Sequence, residues 1–139
     1  MAVVAGMAKD EADARQNKPS VPKIAVIAPA QDYVTTTGET IRKDEVDILI
    51  KALSMWKLHR TSPASGLYNL AAVCLMEGTV ANALAGFPPG IREQMVRIGH
   101  PEGVVEVKVR LSAGGTQVES VGMERTARRI MKGELFIPA

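Results

Sequence analysis

The spacing of apolar residues changes several times along the chain. Val105, Val107, Val109 and Leu111 alternate with Glu106, Lys108 and Arg110. That period of two predicts a strand with one face buried. Ile24-Ala25-Val26-Ile27-Ala28 is an unbroken apolar run behind Lys23, which predicts a buried strand stopped by Pro29. Val46, Leu49, Ile50 and Leu53 fall at i, i+3, i+4 and i+7. With Asp44 as a cap and Asp47 three positions on, they predict a helix over 44–55. The stretch 66–77 is apolar on nearly every side, from Leu67 through Val73 to Met76. Ser65 is its expected N-cap and Gly78 its terminator. A helix of that kind has to be enclosed by other structure.

Further short strands are predicted at Thr79–Leu84, Gln94–Ile98, Val118–Met123 and Ala127–Met131. Lys132-Gly133 fits a hairpin turn into a last strand, Leu135-Phe136-Ile137. Gly86–Gly90 and Gly114-Gly115 read as loops. At the start, Lys9–Arg15 is polar and helix-prone, and Pro19 and Pro22 end it. Residues 1–16 are therefore expected to form a short helix suited to linking two lobes. The class is α+β. A mostly antiparallel sheet curled around the helix at 66–77 fits these elements, and so does an open α+β layer.

A length of 139 residues allows one domain or one lobe of a larger protein. Lys plus Arg is 17 and Asp plus Glu is 15, so the net charge is only +2. A nucleic-acid binder needs a clustered basic face, and only Arg125, Arg128 and Arg129 lie close together. No nucleic-acid partner is expected. No apolar run approaches the roughly 20 residues of a membrane span, so no membrane partner is expected either. A single cysteine suits a reducing compartment. Met1–Ala8 lacks a basic segment ahead of a long apolar stretch, so the expected location is the cytoplasm. Two histidines and one cysteine are too scattered for a metal signature, and the glycines form no phosphate loop.

The candidate chemistry lies in two loops. Lys57-Leu58-His59-Arg60-Thr61 precedes the enclosed helix. Arg60 can grip a carboxylate with two parallel hydrogen bonds, and the helix start at Ser65 and Gly66 offers N–H groups and a favourable dipole. The plainer reading is a basic surface loop with Ser65 as a cap. Gly99-His100-Pro101-Glu102-Gly103 is a tight turn that would hold the His100 imidazole rigidly. Such a ring can donate to developing negative charge or exchange a proton. Alternatively it is an exposed turn histidine. Cys74 falls mid-helix among apolar neighbours, where a thiol is a small hydrophobe with a raised pKa.

The order of Ser20–Ala25, Val46-Asp47-Ile48, Ala52–Met55, Lys57–Thr61, Gly99–Gly103 and Thr126–Pro138 resembles the PrpF family, whose members include methylaconitate, methylitaconate, oxalomesaconate and aconitate isomerases. The resemblance implies a diaminopimelate-epimerase-like fold of two lobes, each a curled sheet around a helix, with the site between them. Such proteins are about two domains long, so this chain resembles the C-terminal lobe alone, 19–139, with 1–18 as the linker helix. A half-length or truncated form follows from that.

The implied chemistry is a cofactor-independent shift of a C=C bond by proton transfer in an unsaturated di- or tricarboxylate. The family's acid–base lysine and cysteine belong to the other lobe. What carries over is supportive: His100 in catalysis, and Arg60, Ser65 and Gly66 in substrate binding, with no metal and no cofactor. Trp56 departs from the family pattern, standing where glycine is expected before Lys57. The implied partners are a small polycarboxylate and a complementary N-terminal lobe or a second copy. The rival from another class is a non-catalytic remnant or interaction module that keeps the lobe fold.

Overall fold

The computed structural model describes every residue except Trp56, Leu135, Pro138 and Ala139. It is a mixed α+β structure built on one mostly antiparallel sheet, with few helices. In chain order the elements are α1 (Glu11–Asn17), β1 (Ile24–Pro29), β2 (Tyr33–Val34), β3 (Thr40–Ile41), β4 (Ile48–Ser54) and β5 (Lys57–His59). They continue with α2 (Ala64–Leu75), α3 (Val80–Ala85), β6 (Glu93–His100), β7 (Gly103–Leu111) and β8 (Val118–Gly122). The main sheet runs β1-β4-β6-β7-β8, with β5 added to β4, and β2 and β3 pair separately. Among the described residues, only β4 and β6 pair in parallel.

The core lies between α2 and the inner face of this sheet. Ile48 and Ile50 of β4, Val96 and Ile98 of β6, and Val107 and Val109 of β7 meet Leu67, Leu70, Ala71, Cys74 and Leu75 of α2. Alternation puts every second strand residue on the helix, which explains the buried Val107, Val109 and Leu111 beside exposed Glu106, Lys108 and Arg110. Residues 70–75 of α2 are buried or half-buried throughout, whereas Ser65 and Asn69 emerge to solvent.

Several sequence expectations are corrected. The helix over 44–55 is instead a 3-10 turn at Lys43–Glu45 followed by β4. Ile48, Ile50 and Ala52 alternate into the core, and strands on both sides supply β4 with hydrogen-bond partners that a helix could not use. Asp47 does not cap a helix. It takes Arg97 of β6 in a forked pair, with its Oδ1 2.5 Å from Nη2 and its Oδ2 2.7 Å from the Arg97 backbone N. Thr79–Leu84 forms α3 instead of a strand, because Thr79 Oγ1 accepts the Asn82 N–H at 3.1 Å and caps the helix. The strand at Ile24–Pro29 forms, but as an exposed sheet edge where Val26 is 61% accessible. An edge is where a strand proline is tolerated.

At the N-terminus the helix is shorter than expected. Gly6 adopts φ 68° and closes a turn, and Asp10 caps α1 by accepting the Asp13 N–H. At the other end, Ala127–Met131 makes no strand, since no strand edge among the described residues pairs with it. The hairpin into Leu135–Ile137 falls partly outside the described residues, at Leu135.

Candidate functional site

The tight turn between β6 and β7 is tied from outside by the β2–β3 hairpin. His100 and Gly103 are register partners, so Pro101 and Glu102 alone form the connection. Tyr33 Oη donates to the Gly103 carbonyl at 2.6 Å, and the Thr36 N–H donates to the Pro101 carbonyl at 2.7 Å. Thr36 Oγ1 donates to the Glu102 carboxylate. The β2–β3 hairpin is thereby latched onto the His100 turn. Beneath it is a cleft of about 230 Å³, lined by Gln31, Tyr33, Thr36, Lys51, Leu58 and His100 among others. A Cβ at Gly99 would stand 2.5 Å from Leu49 Cδ2 and 3.0 Å from the Tyr33 ring, so a larger residue would have to displace those side chains.

Within the turn, the Glu102 N–H donates to His100 Nδ1 at 3.2 Å, which leaves the ring proton on Nε2. Burial pushes the His100 pKa below its ordinary value, against a hydrogen bond with the Arg60 backbone and the charge of Glu102, both of which favour the protonated ring. Burial likewise raises the Tyr33 pKa, so its hydroxyl stays a donor.

The structure brings Arg60 to the same turn. Its Nη1 lies 3.8 Å from Glu102 Oε1, with the Arg60 side chain 75% exposed and that of Glu102 only 23%. Arg60 leaves β5, and the next residues turn sharply to begin α2. Ser62 has φ 57°, a left-handed conformation that costs a non-glycine residue on the order of 1–3 kcal/mol. Both Ser62 Oγ and His59 Nδ1 are buried with no hydrogen-bond partner among the described residues. Buried polar atoms in that condition are uncommon and mark a place where a polar ligand atom would be welcome.

Ser65 is not the N-cap of α2. Pro63 is, and no side chain caps the helix. Ser65 instead lies exposed in the first turn, and the Gly66 N–H is already given to the Pro63 carbonyl at 2.9 Å. Helix geometry therefore leaves the Ala64 and Ser65 amides, not that of Gly66, as the free donors. Among the described residues, no hydrogen bond joins Ser65 or Gly66 to Arg60 or His100. Trp56, the bulky residue ahead of Lys57, lies outside the described residues.

The sequence reading missed Tyr33, Thr36, Ser62 and Glu102. Only Glu102 left a trace, as a charged residue in a two-residue turn between paired strands. Cys74 is fully buried, and burial with the Asp47 charge pushes its thiol up to about 12. No group of three or more His, Cys, Asp or Glu is placed to hold a metal among the described residues. No helix among them is long and apolar enough to cross a membrane.

The sequence carrying this turn and this helix start matches a family model described as PrpF protein over residues 1–138. The chain belongs to the PrpF family. It is 35% identical over 132 residues to the 2-methyl-aconitate isomerase of Shewanella oneidensis, covering 93% of this chain and 32% of that protein. It is 35% identical over 133 residues to the 3-methylitaconate isomerase of Eubacterium barkeri, covering 95% of the chain and 34% of the relative. The crystal structure of methylitaconate-delta-isomerase superposes with a TM-score of 0.77 at 34% identity, over 95% of this chain and 33% of that one. This PrpF chain thus spans about a third of the length of the relatives it matches.

Proposed function

We propose that this PrpF chain is the carboxylate-binding part of an isomerase that moves a C=C bond by proton transfer. The substrate class is an unsaturated di- or tricarboxylate. The observation that carries the reading is the meeting of Arg60 with the His100 turn, with Ser62 Oγ just ahead of α2 and His59 Nδ1 at the end of β5 both buried without partners among the described residues. The names of the relatives support the substrate class.

In this reading Arg60 and the free amides of Ala64 and Ser65 hold a substrate carboxylate. A base removes a proton from carbon α or γ to that carboxylate. The electron pair spreads over the allylic system and the carboxylate oxygens, and an acid returns a proton at the other end of the allyl unit. His100, as a neutral Nε2–H donor, would give that proton to the charge that develops on oxygen in place of the Arg60 backbone, with Nδ1 still held by Glu102. The chemistry needs no cofactor. Cys74 is too buried to serve as the base. The lysine and cysteine implied by the family resemblance would come from a complementary lobe outside residues 1–139. Residues 19–139 would then be a diaminopimelate-epimerase-like lobe around α2, 1–18 its link to that lobe, and the cytoplasm its place of work.

A second reading is favoured by one observation. Ile130, Met131, Phe136 and Ile137 are each at least 78% accessible, and an apolar groove of about 520 Å³ opens beside Met1, Val3, Ile24 and Met55. Surface of that kind suits an interaction module without turnover, bound to a partner lobe or a second copy.

The test is proton exchange in D₂O followed by NMR, with cis-aconitate, trans-aconitate and methylated analogues offered in turn. The expected result for the isolated chain is binding without exchange. Exchange above a protein-free control would place a base within residues 1–139 and overturn the division of labour proposed here. Absence of binding would favour the interaction module.

A further inference from the structure

We infer that Lys51 is the counterion for a second carboxylate of the substrate, which it holds in the cleft beside His100. The inference rests on the proposed reading of this chain as a carboxylate binder. That substrate class carries at least two carboxylates, and Arg60 with the α2 amides accounts for one.

The position of Lys51 follows from strand pairing. β1 lines one side of β4 along Ile48–Leu53. On the other side two strands follow in succession: β6 pairs with Ile48 and Leu49, and β5 with Ala52 to Ser54. Ile50 and Lys51 fall in the gap, where β6 ends at His100 and β5 ends at His59. Both residues line the cleft of about 230 Å³ that opens there, together with His100. Alternation puts Lys51 on the face of Leu53, whose register partner is Leu58. One step further along that register, Arg60 comes level with Lys51. Like charges opposed across a strand pair are destabilising, and an anion between them relieves the repulsion.

The two cations are not equivalent. Arg60 lies 3.8 Å from the Glu102 carboxylate, which Thr36 also holds. Lys51 makes no ion pair among the described residues. Tyr33 Oη and Thr36 Oγ1 line the cleft but are given to Gly103 and Glu102. Burial drives His100 toward its neutral form, so the ammonium of Lys51 supplies the positive charge at the cleft wall. Val34, Leu49 and Leu58 make an apolar lining suited to a short carbon skeleton. His100 links the two subsites: it lines the cleft, and its ring is hydrogen-bonded to the Arg60 backbone.

The test compares itaconate with its 4-monomethyl ester, which keeps the carbon skeleton and removes one charge. Both affinities are measured by calorimetry on the 139-residue chain and on Lys51→Met, Lys51→Arg and Arg60→Ala. Lys51 is exposed, so its replacement leaves the core intact. Lys51→Met is expected to weaken itaconate by about fivefold and the ester by less than about twofold, the size of a solvent-accessible ion pair. Lys51→Arg is expected to keep most of the itaconate affinity, and Arg60→Ala to weaken both ligands. If Arg60→Ala weakens both while Lys51→Met leaves the preference for the diacid unchanged, the role of Lys51 is overturned and the Arg60 site stands. Equal losses in Lys51→Met and Lys51→Arg would also overturn it, because charge would then not be what matters. If Arg60→Ala changes neither affinity, or if the wild-type chain binds neither ligand, the carboxylate reading falls and this inference with it.

Discussion

The Glu102 backbone N–H donates to His100 Nδ1 at 3.2 Å, so the turn that carries the imidazole also fixes its tautomer. With Nδ1 occupied as an acceptor, only Nε2 can donate, and this bond favours the neutral ring, against the Arg60 backbone and the Glu102 charge. Burial pushes the same way.

A pH dependence follows. The His100 pKa is lowered from its ordinary 6.5, so the folded state resists protonation that the unfolded chain accepts. The stabilisation is complete above pH ~6.5 and is lost as pH falls through the folded-state value. The urea midpoint should drop between about pH 7.5 and pH 5, and His100→Gln should flatten that drop. An NMR titration of the ring should give a pKa below 6.5 in the folded protein. A value at or above it would remove the buried, neutral histidine from the site.

For the proposed isomerase, joined to whatever supplies its base, Arg60 and His100 should fail differently. Arg60→Ala should raise KM more than it lowers kcat, because a carboxylate grip serves ground and transition states alike. His100→Ala should lower kcat more than affinity, because its donor is needed where charge develops. Steady-state kinetics on both variants checks this. An unchanged KM in the first, or wild-type turnover in the second, takes that residue out of the proposed mechanism.

The Asp47–Arg97 pair holds β4 and β6 together where they run in parallel. Arg97 gives its backbone N–H and its guanidinium to one carboxylate, and its Nη1 reaches the Asp44 carbonyl at 2.6 Å. The Asp47 side chain is 11% exposed, so Asp47→Ala strands a half-buried charge and an amide. The expected loss is about 2 kcal/mol, read from urea unfolding. A change within ~0.5 kcal/mol would mean that water replaces the carboxylate freely.

Thr79 is tied to both helices that flank it. Its Oγ1 accepts from the Asn82 N–H at 3.1 Å and lies 2.6 Å from the Val73 carbonyl. Thr79→Ala should cost about 1 kcal/mol and lower the thermal midpoint, with Thr79→Ser recovering most of the loss. Equal losses in the two variants would show that the methyl group, not the cap, matters.

The sequence was most legible where one face of an element is buried. Val105–Leu111 and the run from Leu67 to Leu75 carry their period openly, and both elements form. It misled where one string satisfies two periods. Val46, Leu49 and Ile50 fit a helix at i, i+3 and i+4, while Ile48 and Ile50 fit a strand at i and i+2, and the neighbouring strands β1 and β6 decide between them. The composition of Thr79–Leu84 suits a short strand, and the cap that Thr79 supplies makes Val80–Ala85 a helix instead. The PrpF motifs pointed to Arg60 and His100, which do meet at one turn. Tyr33 and Thr36 were illegible because they reach that turn from about 70 residues away in sequence. Ser62 was hidden because a left-handed serine next to a proline leaves no local pattern.

The most direct test of the carboxylate site is an amide-shift titration of the ¹⁵N-labelled chain with itaconate. The shifts should concentrate at Arg60, Ser62, Ala64, Ser65, His100 and Glu102, and Arg60→Ala should abolish the saturable part. Saturable shifts confined to the groove beside Met1, Ile24 and Met55, or no saturable shift at all, would contradict a carboxylate site at the head of α2.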